Sequence, residues 1–260
     1  LHNGTPVSGA WNVSFGNADT MGSNQTFTNV AANQLLSFAT SDDYSSIRFT
    51  ASDSFRTLII YCLTTSITCY LTGTMIATPT GAVAVETLQE GDEILTANGT
   101  TTTVRWLGIQ PVDTRTATPA KANPICFTAN SIAPNVPSRD LFVSPDHAMD
   151  IDGILYNAST RVNGRSIYQV AQMPAEGFTY YHIDTGAHEL IVAEGAASET
   201  YLDAVGRDAV INGHEQADAP SICELPVPRI VARRMVPQHV VAALSERADA
   251  LGFTAARQVA

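Results

Sequence analysis

Short runs in which apolar and polar positions alternate recur from the start of the chain to about residue 202. This is the two-residue period of half-buried β-strands rather than the 3.6-residue period of helices. AWNVSF (10–15) and SSIRFTAS (45–52) have the pattern of strands with one buried face, and RTLIIYCL (56–63) that of a more fully buried one. Further along, MIATP, TTVRWLGI, DLFVSP, GILYNA and HELIVAEG all fit strands. Asn98-Gly99, Asp152-Gly153 and Asn163-Gly164 supply hairpin signals between them. AVETLQEGD (84–92) suits a short helical turn that re-aims the chain. After about residue 205 the text turns polar and proline-rich (213–230), as a connecting segment would. Beyond Pro237, the residues Val240, Val241, Leu244, Ala248 and Leu251 make one helical apolar face, ended by Gly252.

The pattern predicts an all-β protein in three parts. Residues 1–68 form an N-terminal β-rich segment that looks like the last part of a β-sandwich, residues 69–205 a second β-domain, and residues 206–260 an extension with a helix near 237–251. The first part has few large apolar groups and makes a marginal core alone.

Composition narrows the function. With 45% hydrophobic and 15% charged residues the chain is globular. A net charge of −11, with the short RIVARR (229–234) as its one basic cluster, leaves no Lys/Arg cluster large enough to displace phosphate counterions, which argues against nucleic acid as a partner. The longest apolar run, TLIIYCL (57–63), is far too short to span a bilayer. The chain opens LHNGTPVSG, with no initiator methionine and no signal-like segment, as a fragment or processed form of a longer polypeptide would. Sparse charge offset by Ser, Thr, Ala and Gly fits a secreted or cell-surface bacterial protein.

Of the four cysteines, none lies in a C-x-x-C pair, which argues against zinc and against a disulfide scaffold. Cys126 and Cys223 read as small buried hydrophobes. DHAMDID (146–152) lacks the ligand spacing of a calcium loop, and a hairpin at Asp152-Gly153 accounts for it better. No metal and no cofactor are expected.

Cys69 differs from the others by its setting. The run CYLTGTMIATPTGAVAVETLQEGDEILTANG has a first-position Cys69, then Gly73-Thr74, a Thr78-Pro79-x-Gly81 turn, Glu86 and Gly91-Asp92. It resembles the opening block of Hint domains, the hedgehog/intein self-processing fold. VSPDHAM resembles their Thr-x-x-His block, with Ser144 in the threonine place and His147 as the histidine. YYHIDTGAHELIVAEGAASETYLD is similar to the late block of the bacterial subgroup found in large secreted proteins. The resemblance covers roughly 69–205 and implies a Hint fold of curved β-hairpins.

The chemistry follows from the residues. A thiol next to a peptide carbonyl attacks it through a five-membered ring and turns the Thr68–Cys69 amide into a thioester. Holding the nucleophile in the same chain lowers the barrier by several kcal/mol, and a thiolate is a strong nucleophile near neutral pH. An amide is more stable than a thioester, so the leaving nitrogen needs a proton or the peptide needs strain. His147 is the candidate proton donor, because an ordinary histidine titrates near 6.5; alone it would read as a hydrogen-bonded strand-end histidine. Ser144 would hold the scissile peptide. His182, at a place often acidic in inteins, is a candidate second proton carrier, and His188 reads as structural.

Two departures limit the reaction. Inteins end in His-Asn before a nucleophile, whereas here the aligned end is Ser198-Glu199-Thr200-Tyr201, which argues against splicing. The aspartate that activates a sterol in hedgehog proteins falls at Gly108, which argues against sterol transfer. The expected activity is a single-turnover cleavage with the chain's own N-terminal segment as cis substrate, the thioester being released by water or an external nucleophile. The alternative is a non-catalytic Hint-fold scaffold in a bacterial surface or adhesion protein. A Cys-His hydrolase acting in trans is weaker, since no papain-like or caspase-like signature surrounds Cys69.

Overall fold

The computed structural model describes residues 9–16, 24–30, 46–51, 68–202, 210–216 and 222–253, and the chain divides into two units, Leu1–Ile60 and Tyr61–Ala260. The first unit holds an antiparallel sheet of β1 (Gly9–Gly16), β2 (Asn24–Val30) and β3 (Ser46–Ala51), in the order β2-β1-β3. AWNVSF falls on β1 and SSIRFTAS covers β3. No second sheet of a sandwich lies among the described residues, and RTLIIYCL lies outside them.

The second unit is built from short strands: β4 (Tyr70–Leu71), β5 (Met75–Thr78), β6 (Gly81–Ala84), β7 (Glu93–Leu95), β8 (Thr101–Thr103), β9 (Trp106–Val112), β10 (Ile125–Phe127) and β11 (Leu141–Val143). They continue as β12 (Ala148–Ile151), β13 (Ile154–Asn157), β14 (Ile167–Gln169), β15 (Phe178–Asp184), β16 (Leu190–Ala193), β17 (Ala196–Glu199) and β18 (Arg229–Ile230). One sheet runs β14-β10-β11-β4-β15-β9, a second β18-β13-β12-β17-β16-β5-β6, and β7 pairs with β8. The alternation read from the sequence feeds one core, in which Tyr70, Ile76, Ile94, Phe127, Leu141, Ile183 and Ile191 are all buried. This is an all-β domain with small helices, as the pattern predicts.

Turn chemistry explains two of the three hairpins. Asp152 (φ 54) and Gly153 (φ 77) both take the left-handed conformation that a two-residue turn between β12 and β13 requires. Asn98-Gly99 closes β7 onto β8. Asn163-Gly164 is not a hairpin: it joins a 3₁₀ turn (Ala158–Arg161) to β14. There the Asn163 Oδ1 accepts from the backbone N–H groups of Arg165 (2.8 Å) and Ile167 (3.0 Å), while the N–H groups of Asn163 and Gly164 both donate to the Ile167 carbonyl, so a local turn closes on itself. AVETLQEGD holds a 3₁₀ turn over Val85–Thr87. TTVRWLGI, read as one strand, is split. The Val104 backbone bonds to Gly91 and Asp92, whereas that of Arg105 bonds to Asp184, so the chain changes partner between β8 and β9.

Helix α1 is a single turn (Pro119–Ala122), and α2 (Gln238–Ala250) is the C-terminal helix. Val240, Leu244 and Ala248 are its buried face, with Leu244 in the main core, while Val241 faces outward at 38% exposure. Gly252 (φ 80) ends the helix. The Phe253 N–H reaches back to the Ala248 carbonyl, a glycine-dependent cap. The segment before it is not a mere connector. β18 adds a parallel strand to β13, and Val210 and Ile222 pack with Trp106, Tyr201 and Leu202 in a satellite core.

Candidate active site

The strand order β11-β4-β15-β9 assembles the site. Cys69 is the residue entering β4, which pairs with β11 on one side (Tyr70 opposite Val143) and β15 on the other (Tyr70 opposite Tyr181). Ser144 leaves β11, His182 lies in β15, and Gln110 lies in β9, which pairs with β15 along its length. Four residues scattered over more than a hundred positions thus come to neighbouring strands of one sheet.

The Thr68–Cys69 peptide is held at both ends. The Cys69 N–H donates to Ser144 Oγ at 3.1 Å, and the Ser144 N–H donates to the Cys69 carbonyl at 3.0 Å. The Thr68 carbonyl oxygen lies 2.9 Å from His182 Nδ1, and Thr68 Oγ1 accepts from the Leu202 N–H at 3.3 Å. Thr68, Cys69, Ser144, His147 and His182 are all buried. The structure therefore brings Thr68, Cys69, Ser144 and His182 into direct contact.

The Cys69 sulfur is 3.7 Å from His182 Nδ1 and 3.6 Å from Nε2. A sulfur almost equally far from both ring nitrogens cannot lie along the in-plane lone pair of either. The thiol instead finds Gln110 Oε1 as acceptor at 3.6 Å, and that oxygen lies 3.0 Å from His182 Nε2. Burial pushes the Cys69 thiol well above its ordinary range, the Ser144 hydrogen bond offsets this in part, and Asp146 adds to it. At rest Cys69 is a neutral thiol.

His147 sits in the turn between β11 and β12, its N–H bonded to the Ser144 carbonyl at 3.1 Å. Its ring stacks edgewise on Tyr70, centroids 4.5 Å apart, and neither ring nitrogen has a hydrogen-bond partner. Burial pushes it down to about 4, against upward pulls from Glu199 and from the backbone of Cys69. The sequence-based expectation of a histidine titrating near 6.5 is thereby corrected: His147 is a neutral imidazole at physiological pH, because desolvation of the cation outweighs the pull of Glu199 and of the Cys69 backbone.

His188 lies in a different cluster. Its Nδ1 accepts from the Leu225 N–H at 2.8 Å, which leaves the proton on Nε2 to be donated to Glu199 Oε2 at 2.9 Å. The Glu199 carboxylate also accepts from the Ala148 N–H at 2.6 Å and from the Arg229 guanidinium, which further binds Glu224 and Asn157. Burial would raise the Glu199 carboxyl, yet His188 and Arg229 together hold it down to about 2.

Gln110 and Arg229 escaped the sequence reading. In β9 the alternation puts 106, 108 and 110 on one face. Gly108, the position matched to the hedgehog aspartate, is the one whose added Cβ would meet the Trp106 ring at 2.4 Å. The residue of this strand that reaches the thiol is Gln110, two positions on, and a lone polar residue on that face was the available signal. Among the described residues no group of His, Cys, Asp or Glu is arranged to hold a metal, and no helix is long and apolar enough to cross a membrane.

A family model described as "Hint domain" matches residues 68–205. No curated protein matches the chain. Among solved structures, the chain is similar to a bacterial intein-like domain from Clostridium thermocellum, at 16% identity over 52% of this chain and 99% of that one, with a TM-score of 0.39. It is also similar to the MchDnaB-1 intein, at 18% identity over 50% and 98% with a TM-score of 0.35. A DnaB intein from Synechocystis sp. PCC 6803 shares 11% identity over 52% and 99%, with a TM-score of 0.35.

Proposed function

This chain belongs to the Hint domain family, whose fold implies self-processing through an N-to-S acyl shift, and we propose that its own reaction is cleavage of the Thr68–Cys69 bond without splicing. The Cys69 sulfur attacks the Thr68 carbonyl carbon and forms the S–C bond. The C–N bond then breaks, and the thiol proton ends on the Cys69 nitrogen. Water or an external nucleophile next attacks the thioester, which frees residues 1–68 and regenerates the thiol.

The observation that carries this reading is the grip on the scissile peptide: Ser144 Oγ on its nitrogen and His182 Nδ1 on its oxygen, with the sulfur beside the same ring. His182 donates to the oxyanion of the tetrahedral intermediate, a contribution of roughly 3–4 kcal/mol for one well-aimed donor. His147, neutral and without a hydrogen-bond partner, is free to take up a proton and deliver it to the Cys69 nitrogen.

The absence of splicing is supported at residues 198–202, where no asparagine is available to cyclise and Glu199 is committed to His188 and Arg229. The segment that follows contributes β18 and Leu244 to the body and so is no leaving group.

The non-catalytic scaffold reading draws on one observation, the burial that keeps the Cys69 thiol un-ionised. Mass spectrometry of the purified chain, with and without added thiol, separates the two. Fragments 1–68 and 69–260 in the wild type, with Cys69→Ala intact, support processing. A natively folded wild type that stays whole under thiol supports the scaffold.

A further inference from the structure

We propose that Gln110 is a positioning residue: its amide, able to accept or to donate by a half-turn, keeps a proton on His182 Nδ1 pointed at the Thr68 carbonyl in both charge states of the ring. This rests on the acyl-shift reading above and adds a residue to it.

Both ring nitrogens of His182 face oxygens, Nδ1 the Thr68 carbonyl at 2.9 Å and Nε2 the Gln110 amide at 3.0 Å. A carbonyl oxygen only accepts, and a neutral imidazole carries one proton. If the amide oxygen stays toward Nε2, the neutral ring has two acceptors and one N–H. It either loses a hydrogen bond or takes a second proton and donates to both. If the amide rotates, its NH₂ donates to Nε2 and the single ring proton sits on Nδ1, again directed at Thr68. Glutamine is one of the few side chains of this length that can follow the ring through either state. A carboxylate could only accept, and would pull the neutral ring's proton to Nε2. The Nδ1 lone pair would then face the Thr68 oxygen, against the charge that develops there during attack.

β9 has no titratable residue. Two titratable groups lie beside the ring, the Cys69 thiol, from the residue entering β4, and the Tyr201 phenol, whose ring meets His182 edge-on at 5.5 Å between centroids. Tyr180, two residues before His182 on β15, donates its hydroxyl to the Ala122 carbonyl and is held neutral by burial.

The test uses the full chain with three residues at position 110: Gln, Glu and Met. In a Cys69→Ala background, which cannot cleave, nitrogen NMR of the His182 ring reads the tautomer across a pH series. With Gln110 the neutral ring should carry its proton on Nδ1, and with Gln110→Glu on Nε2. In the Cys69 background the rate of cleavage under thiol should hold or rise with pH for Gln110. For Gln110→Glu it should fall, relative to wild type, by about tenfold or more once the ring is neutral. Gln110→Met, with neither donor nor acceptor but similar bulk, should lower the rate without bending the profile.

An Nε2 proton in the wild type, or parallel profiles for Gln110 and Gln110→Glu, overturns the inference. The two proposals fail separately. A tautomer that follows residue 110 in a chain that never cleaves sustains the positioning role and removes the acyl shift. Cleavage with a tautomer indifferent to residue 110 does the reverse.

Discussion

Residues 198–202 touch two buried polar clusters that treat their groups differently. At Glu199, each carboxylate oxygen, both ring nitrogens of His188 and the Arg229 guanidinium have partners, several of them charged. Around Cys69 the contacts to sulfur are long, the thiol is kept neutral, and His147 has two bare ring nitrogens. The first arrangement is closed: both carboxylate oxygens and both imidazole nitrogens are bonded. The second keeps unspent capacity beside one peptide bond at a cost in stability, which is where a reactive site is expected. Three histidines mark the contrast, with His188 bonded through both ring nitrogens, His182 on the Thr68 carbonyl and His147 bare.

The comparison can be broken from the closed side first. Arg229→Ala leaves the Glu199 charge buried with only His188 and a backbone N–H to answer it. It should cost about 3–5 kcal/mol in denaturant unfolding, the usual result of halving a buried pair. Adding Glu199→Gln should recover part of the loss, because the uncompensated charge is then gone. A change below about 1 kcal/mol for Arg229→Ala would mean the cluster is not closed in this sense.

From the open side, His147→Ala should slow cleavage by about 10²–10⁴-fold, as expected for losing a proton carrier, while the folded baseline is retained. Equal loss of rate and of folded protein would make His147 structural instead.

Acid sharpens the contrast between the two. His147 titrates at about 4 in the fold against an ordinary 6.5. The unfolded chain therefore binds the extra proton between those values, and stability is lost as pH falls from about 6.5 toward 4, by up to about 3 kcal/mol. Glu199, held at about 2 against an ordinary 4.5, adds a second loss from about 4.5 downward. Denaturant midpoints over a pH series should show wild type losing ground to His147→Ala in the upper window. Parallel curves there would contradict the buried neutral ring.

The smallest expected effect is none. Cys126→Ala and Cys223→Ala should leave the cleavage rate unchanged, since one thiol is buried in β10 and the other exposed on the extension, neither at the scissile bond.

Much of this was legible before any coordinates. The alternation located most strands, and Cys69 with Ser-x-x-His singled out two residues that the fold brings into contact, because short local motifs carry them. What stayed hidden depends on pairing. Gln110 reaches the thiol only because β9 lies beside β15 in a particular register, and a shift of one residue would turn it away. Arg229 finds Glu199 across 30 positions from a proline-rich stretch that has the composition of a linker. Asn163-Gly164 carries the letters of a hairpin turn, but the side chain of Asn163 and the Ile167 carbonyl close it locally.

The most direct measurement is hydroxylamine treatment of the purified native chain followed by intact and peptide mass spectrometry. A thioester at Thr68 is intercepted as a hydroxamate on that residue, and a bond cleaved by any other route is not. The prediction is a fragment 1–68 ending in Thr68 hydroxamate, a fragment 69–260 with Cys69 free at its N-terminus, and no cut near residue 200. An intact chain in the native fold, or a cut whose new carboxyl end carries no hydroxamate, would contradict the acyl shift at Thr68–Cys69.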